Sequence, residues 1–415
     1  MKIEKYSFGV GDRFSKEGEA QLKAIKQIND LGVDVVPVWN KSYREHKITK
    51  TTHASVLNEA KHAVTNEGWT KSFYIDADHI GMETVDEFLE YSNFFTIDVA
   101  HFISKSAEGT SKSEFVKRHS NYLGKLSIPG INEYFHVTKE FLTATANKYL
   151  LAIQEVAKIY NYIVSQKGEN NFIAEVSMDE TDNAQTPIDL FFILAELKHQ
   201  GVKIQTIAPK FTGLFAKGID YIGNIDQFSR EFEQDVAVVK YIIDTLELPE
   251  SLKLSVHSGS DKFSIYPSIK ASLKKFNAGI HIKTAGTTWL EEVIGLAKAG
   301  GKGLEIAKQV YSKSLGRYDE LTGPYSTVLN IRQNKLPDVN KVNTWNSEQF
   351  IRTLTHDQSC KEYNPDFRQL IHVGYKIAVE MGDVYTSALD EFRTIITEQV
   401  RYNILQRHLK PLFLL

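Results

Sequence analysis

The chain has 415 residues, a formal net charge of −3, 42% apolar residues and 24% charged ones, an ordinary balance for a soluble globular protein. It has no block of basic residues, which argues against a nucleic-acid partner, and no apolar run near the roughly 18 residues of a membrane span. The single cysteine, Cys360, excludes an intrachain disulfide and a cysteine metal cluster. Met1-Lys2-Ile3-Glu4-Lys5 lacks the apolar core of a signal peptide, so a cytoplasmic location without membrane attachment is expected.

Eight short apolar runs recur over residues 1–300: Tyr6–Val10, Val33–Val38, Ser72–Ile75, Phe94–Val99, Asn171–Val176, Lys203–Ile207, Leu252–Val256 and Gly279–Ile282. Each ends in polar or charged residues, and a helical pattern usually follows. Leu22, Ile25, Ile28 and Leu31 follow the first run at a helical period, and Val56, Leu57, Ala60, Ala63 and Val64 follow the second. Thr186-Pro187 starts the helix after the fifth run, with proline in its first turn. Gly300-Gly301 ends the helix after the eighth. Eight strand–helix repeats predict a (β/α)8 TIM-type barrel, with the site at the C-terminal strand ends. A doubly wound open sheet is the alternative. Gly9-Val10-Gly11 leads into Asp12-Arg13-Phe14, so no dinucleotide fingerprint supports it.

The chain exceeds a minimal barrel of about 250 residues, so added parts are expected. Residues 105–170 hold a polar loop and a helical stretch from Val137 to Ser165, read as an insertion on the catalytic face, a lid. Residues 301–415 form a mostly helical C-terminal region, with breaks at Gly323-Pro324 and Leu336-Pro337-Asp338.

Three kinds of side chain gather at the strand ends. His79, His257 and His281 end the third, seventh and eighth runs, and three imidazoles with a carboxylate suit one divalent metal. Each histidine alone is more simply a hydrogen-bonding residue of the barrel. Asp76 and Asp78 share a strand face, and Glu175, Asp179 and Glu180 leave the fifth strand. They offer an anionic metal ligand or an acid/base pair. The plain alternative for Asp179 is a helix N-cap. Arg13, Lys210, Lys262 and Lys283 are cations suited to an anionic substrate such as a sugar acid, or one lysine could form a Schiff base. Ser258 and Asp261, within His257–Lys262, lie where small residues expose backbone N–H groups to a carboxylate or phosphate, and Ala285-Gly286-Thr287-Thr288 offers the same. Both stretches also read as ordinary turns.

Four stretches resemble the tagaturonate epimerase family: Tyr74-Ile75-Asp76-Ala77-Asp78-His79, Glu175-Val176-Ser177-Met178-Asp179-Glu180-Thr181, Val256-His257-Ser258-Gly259-Ser260-Asp261-Lys262-Phe263, and His281-Ile282-Lys283-Thr284-Ala285-Gly286-Thr287-Thr288-Trp289. The likeness runs from Tyr6 into the C-terminal region. It implies interconversion of tagaturonate and fructuronate with a divalent cation (Mn, Co, Ni or Zn). It carries the metal role to His79, His257 and His281, and the acid/base roles to Asp78 and Glu180. Substrate contacts are expected from Arg13, Glu175, Lys210, Ser258, Asp261, Lys262 and Lys283. A Schiff-base aldolase using Lys210 or Lys283, and a non-catalytic sugar-acid binding barrel, are the competing readings. The oligomeric state is left open.

Overall fold

The structure, a computed structural model, describes residues 1–284 and 286–414. Among them lie ten strands: β1 (Tyr6–Val10), β2 (Val35–Ser42), β3 (Tyr74–Ile80), β4 (Phe94–Asp98), β5 (Gly124–Leu126), β6 (Phe135–Val137), β7 (Ile173–Ser177), β8 (Thr206–Ala208), β9 (Lys253–His257) and β10 (Ile280–Lys283). Eight close into a barrel in the order β1-β10-β9-β8-β7-β4-β3-β2, with every neighbouring pair parallel. All eight predicted runs fall on these strands. Parallel strands are buried on both faces, so they read as nearly continuous apolar runs.

Alternation along the strands layers the interior. At the bottom Ile3, Val36, Val38, Tyr74, Phe94 and Ile173 form a small apolar plug. The next layer holds His281, whose ring lies 5.3 Å from that of Phe94. Lys283, two residues on, reaches the mouth. The larger core lies between strands and helices and contains Phe8, Ile75, Ile97, Val176, Val256 and Ile282.

Local signals set the helices around it. Thr186 caps the helix Pro187–His199: its hydroxyl accepts from the Asp189 N–H, and the Asp189 carboxylate accepts from the Thr186 N–H. Thr138 caps the helix Lys139–Lys167, its hydroxyl accepting from the Phe141 N–H.

That long helix is not a lid. It packs on β4 and on the helix Pro187–His199, and so serves as the crossover from β4 to β7. No described residue of 105–170 lines the cavity at the barrel mouth. The added part before it is a helix, Gly109–Arg118, and the β5–β6 hairpin.

The C-terminal region instead reaches the mouth. The helix Arg393–Tyr402 packs against Thr287–Ala299 and Gly18–Asp30 on the barrel's flank. The helix Tyr375–Met381 packs against Tyr43–Thr49, which follows β2. Among the described residues no helix is long and apolar enough to cross a membrane.

Candidate active site

A cavity of about 490 Å³ opens at the C-terminal ends of the barrel strands. Its inner end is acidic. Its outer wall carries Arg13, Arg44, Lys210 and Lys217.

Lys283 organises the inner end. Its ammonium lies 2.7 Å from Asp76 Oδ2, 2.9 Å from Asp78 Oδ1 and 2.9 Å from Glu175 Oε1, and donates to Thr96 Oγ1 at 2.5 Å. Burial alone would lower its pKa, but the three carboxylates hold it well above the usual lysine value. Schiff-base chemistry needs a neutral amine, which the three carboxylates around Lys283 oppose. Its charge is spent on the protein rather than on a substrate carboxylate.

The same ammonium splits the two aspartates of β3. Burial raises Asp76 to about 7, against the pull of Lys283. Burial also acts to raise Asp78, but Lys283 and His79 outweigh it and bring Asp78 down to about 2. Asp78 lines the cavity as a carboxylate. Glu175 is fully buried behind it, bonded to Lys283, to Thr96 and, at 2.8 Å, to His257 Nε2. It supports the site from beneath.

His79 enters by a break in alternation. With Asp76 and Asp78 facing inward, a regular strand would turn His79 outward. The register between β3 and β4 shifts between Ala77 and Ile80, and His79 adopts a left-handed φ of 53°. A bulge of this kind re-aims a side chain. His79 Nδ1 lies 3.3 Å from Asp98 Oδ2, and its ring is 5.3 Å from that of His257.

Ligand atoms of His79, Asp179 and His257 all lie within 4.8 Å of one another. His257 Nδ1 is buried with no hydrogen-bond partner and sits 3.2 Å from Asp179 Oδ1. Burial disfavours a charged His257, but Asp179 and Glu175 raise it to about 9. His281 does not join the cluster. It is fully buried in the layer below, its Nδ1 is 2.9 Å from Ser7 Oγ, and burial lowers its pKa to about 3. Asp179 stands where the sequence suggested His281. The helix cap expected of Asp179 is supplied by Thr186, and that boundary was itself readable from Thr186-Pro187.

Three other expected substrate contacts are occupied by the protein. The Lys262 ammonium is buried and donates to the carbonyls of Ala216 and Ile219 at 2.9 and 2.7 Å. Ser258 Oγ donates to the Lys283 carbonyl, which also takes the N–H groups of Ser258 and Gly259. Asp261 is fully buried between Arg368 Nη2 at 2.8 Å, His408 Nε2 at 3.1 Å and His356 Nδ1 at 3.2 Å. Burial opposes its charge, yet Arg368 and the histidines keep it well below the usual carboxylate value. It ties the loop after β9 to the C-terminal region. In the other predicted anion nest, Ala285 lies outside the described residues, and the Gly286 and Thr287 N–H groups donate to Gly259 and Thr284.

Arg13, Lys210 and Glu180 do line the cavity. Arg13 pairs with Glu45 at 3.2 Å, while its Nε and Nη1 are buried without partners. Asp98, Arg44, Lys217, Tyr325, His372 and Tyr375 also line it. Asp98 is the last residue of β4 and could have been chosen from its strand end. The C-terminal residues carried no signal in the sequence.

A closed (β/α)8 barrel with acids, bases and cations converging at its strand ends is the construction of an enzyme acting on a small polar molecule. The chain belongs to the tagaturonate epimerase family, whose model matches residues 1–412, and is therefore an isomerase of the epimerase type. It is 30% identical to the tagaturonate/fructuronate epimerase of Thermotoga maritima, over 97% of this chain and 79% of that protein. Crystal structures of the fructuronate-tagaturonate epimerase UxaE from Cohnella laeviribosi resemble it throughout. The native form has a TM-score of 0.81 and a glycerol complex 0.82, both at 26% identity and covering 99% of this chain and 82% of theirs.

Proposed function

We propose that the chain interconverts D-tagaturonate and D-fructuronate as a cytoplasmic enzyme of hexuronate catabolism. The observation that carries this reading, beside family membership, is the two-ended cavity. A ketohexuronate has a polar, reacting carbon chain and an anionic carboxylate. The acidic floor suits the first and the basic outer wall the second. Of the four cations expected to meet the carboxylate, Lys262 and Lys283 are committed elsewhere, which leaves Arg13 and Lys210.

His79, Asp179 and His257 fit a divalent cation. They offer two imidazoles and a carboxylate with converging ligand atoms, and His257 Nδ1 already meets Asp179 within that set. Such a donor set suits Mn, Co, Ni or Zn. When bound, a cation there supplies Lewis-acid polarisation of a ketone.

The two ketohexuronates differ at a carbon β to the ketone, whose C–H bond the ketone does not acidify. Retro-aldol cleavage avoids that bond. Asp78, ionised beside Lys283, takes the β-hydroxyl proton as the carbon–carbon bond opens to an aldehyde and its electron pair passes to the ketone as an enolate. The aldehyde rotates, the bond re-forms on the other face, and Asp78 returns the proton. Glu180, exposed on the rim, is the second acid/base group. Lys283 keeps Asp78 charged between turnovers.

Turnover of each ketohexuronate, followed by NMR in D₂O, tests the reading. Epimerisation in both directions with no deuterium at the inverted carbon is expected. Failure to convert either compound overturns the activity. Stoichiometric deuterium at that carbon overturns the retro-aldol step alone. Chelation, or His257→Ala, is expected to remove bound metal and to lower kcat on the order of 10²–10³-fold, as for a lost transition-state charge stabiliser. Full turnover by metal-free enzyme overturns the metal.

A further inference from the structure

We propose that Lys217, presented with Arg13 by a tyrosine pair from the C-terminal region, binds the substrate carboxylate and makes the site selective for sugar acids over neutral sugars. The assignment rests on the sugar-acid reading above and names where that reading is enforced.

Lys217 lies in the loop after β8, far from any strand end. Its backbone N–H donates to the Val328 carbonyl at 2.9 Å, which fixes the loop to the C-terminal region. Its ammonium stands 5.5 Å from the centre of the Tyr325 ring, and the Arg44 guanidinium stands 5.1 Å from the same centre. Tyr325 Oη meets Tyr375 Oη at 3.2 Å, and the Arg13 guanidinium lies 4.3 Å over the Tyr375 ring. Two touching tyrosines thus gather three cations on one wall of the cavity. Ring faces attract cations but do not neutralise them.

Counter-charge on this wall is short. Glu45 pairs with Arg13, and Glu180 is the other acid facing Lys217. Glu45 and Glu180 act on the Lys217 ammonium only at a distance, and no carboxylate among the described residues forms an ion pair with it. Arg13, with a side chain only 8% exposed, keeps two buried nitrogens unbonded beside it. Like charges held together at a partly buried wall call for an anion. The floor below pairs its own charges, Lys283 with Asp78, His79 with Asp98 and His257 with Asp179, and leaves no side-chain cation there free for an anion. A carboxylate bound at Arg13 and Lys217 therefore points the rest of the sugar acid inward, toward Asp78. Tyr325 and Tyr375 are positioning residues, since they act through the cations.

The test compares D-galactonate with galactitol, which differ by a carboxylate in place of a hydroxymethyl group, by calorimetric titration of the full-length enzyme. Wild type should prefer the acid. Lys217→Met should cut the acid-to-alcohol preference roughly ten- to hundredfold, the scale of one charged hydrogen bond. Lys217→Arg should retain most of it, and Tyr325→Leu should reduce it by less than Lys217→Met. Lys217→Gln replaces the methionine variant if that one does not fold. An unchanged preference in the folded neutral variant, or no preference in wild type, overturns the assignment. Titration needs no turnover. An enzyme that prefers galactonate through Lys217 but converts neither ketohexuronate would keep this inference and lose the proposed reaction.

Discussion

The floor and the outer wall of the cavity are built by opposite means. The floor is made of strand ends, where β3, β4, β7, β9 and β10 bring Asp76, Asp78, Thr96, Glu175, His257 and Lys283 into one bonded cluster. Its charges neutralise one another in a water-poor interior. The wall is made of loops and of the C-terminal region, and its Arg13 keeps two unspent donors. A self-satisfied floor holds geometry and protonation states for chemistry. An unsatisfied wall holds binding capacity for a charge the protein lacks.

The sharpest way to break that contrast is to remove the floor's single central cation. Lys283→Met leaves three buried carboxylates facing one another. Losing one partner of a buried ion pair costs about 3–5 kcal/mol. Urea unfolding of the variant at pH 7 should show a loss of that order, and the loss should shrink at low pH as the orphaned carboxylates take up protons. A variant as stable as wild type would mean that water already reaches the floor.

The wall should respond differently. Asp261→Asn keeps the shape that receives His356, His408 and Arg368 but removes the charge opposite Arg368. A hydrogen bond to a charged group is worth about 1.5–3 kcal/mol, and stability should fall by that amount. The C-terminal segment so loosened leads from Arg368 to Tyr375, whereas Asp78 and His257 keep their own bonds to Lys283 and Glu175. KM for a ketohexuronate should therefore rise more than kcat falls. An equal fall in kcat with KM unchanged would place the Asp261 network beneath the chemistry instead.

The same contrast decides what could be read from sequence. Each strand end was visible as the last residues of an apolar run. Alternation then placed Asp76 with Asp78, and both contact Lys283 as that rule requires. Alternation fails where the backbone departs from it. His79 faces the site only through a bulge and a left-handed φ, so in the sequence only its nearness to a strand end points to it. His281 obeys alternation and therefore lies directly below Lys283, one layer too deep for the cluster. Ser258, Asp261 and Lys262 follow a strand end but turn into the protein. Lys217, Tyr325 and Tyr375 meet only after the C-terminal region docks, and no period in the chain encodes docking. The long helix after residue 138 looks like a lid in the sequence because the hairpin before it stretches the β4–β7 connection.

The last and smallest expected effect uses His281 to ask how dry the floor is. Burial lowers its pKa to about 3, while an unfolded chain protonates histidine near about 6.5. Between those values the unfolded chain binds the extra proton. The contribution of a neutral, buried His281 is thus fully present above about 6.5 and is lost as pH falls toward 3. At pH 5 the loss is on the order of 2 kcal/mol for this one residue. Other buried histidines add to the total, so the measurement is a difference. Wild type and His281→Gln are unfolded with urea at pH 7 and pH 5, and wild type should lose more stability between the two. Glutamine does not titrate and can still reach Ser7. If both proteins lose the same amount, His281 accepts a proton in the folded state, the layer beneath Lys283 is hydrated, and the division between a dry floor and a wet wall fails at its base.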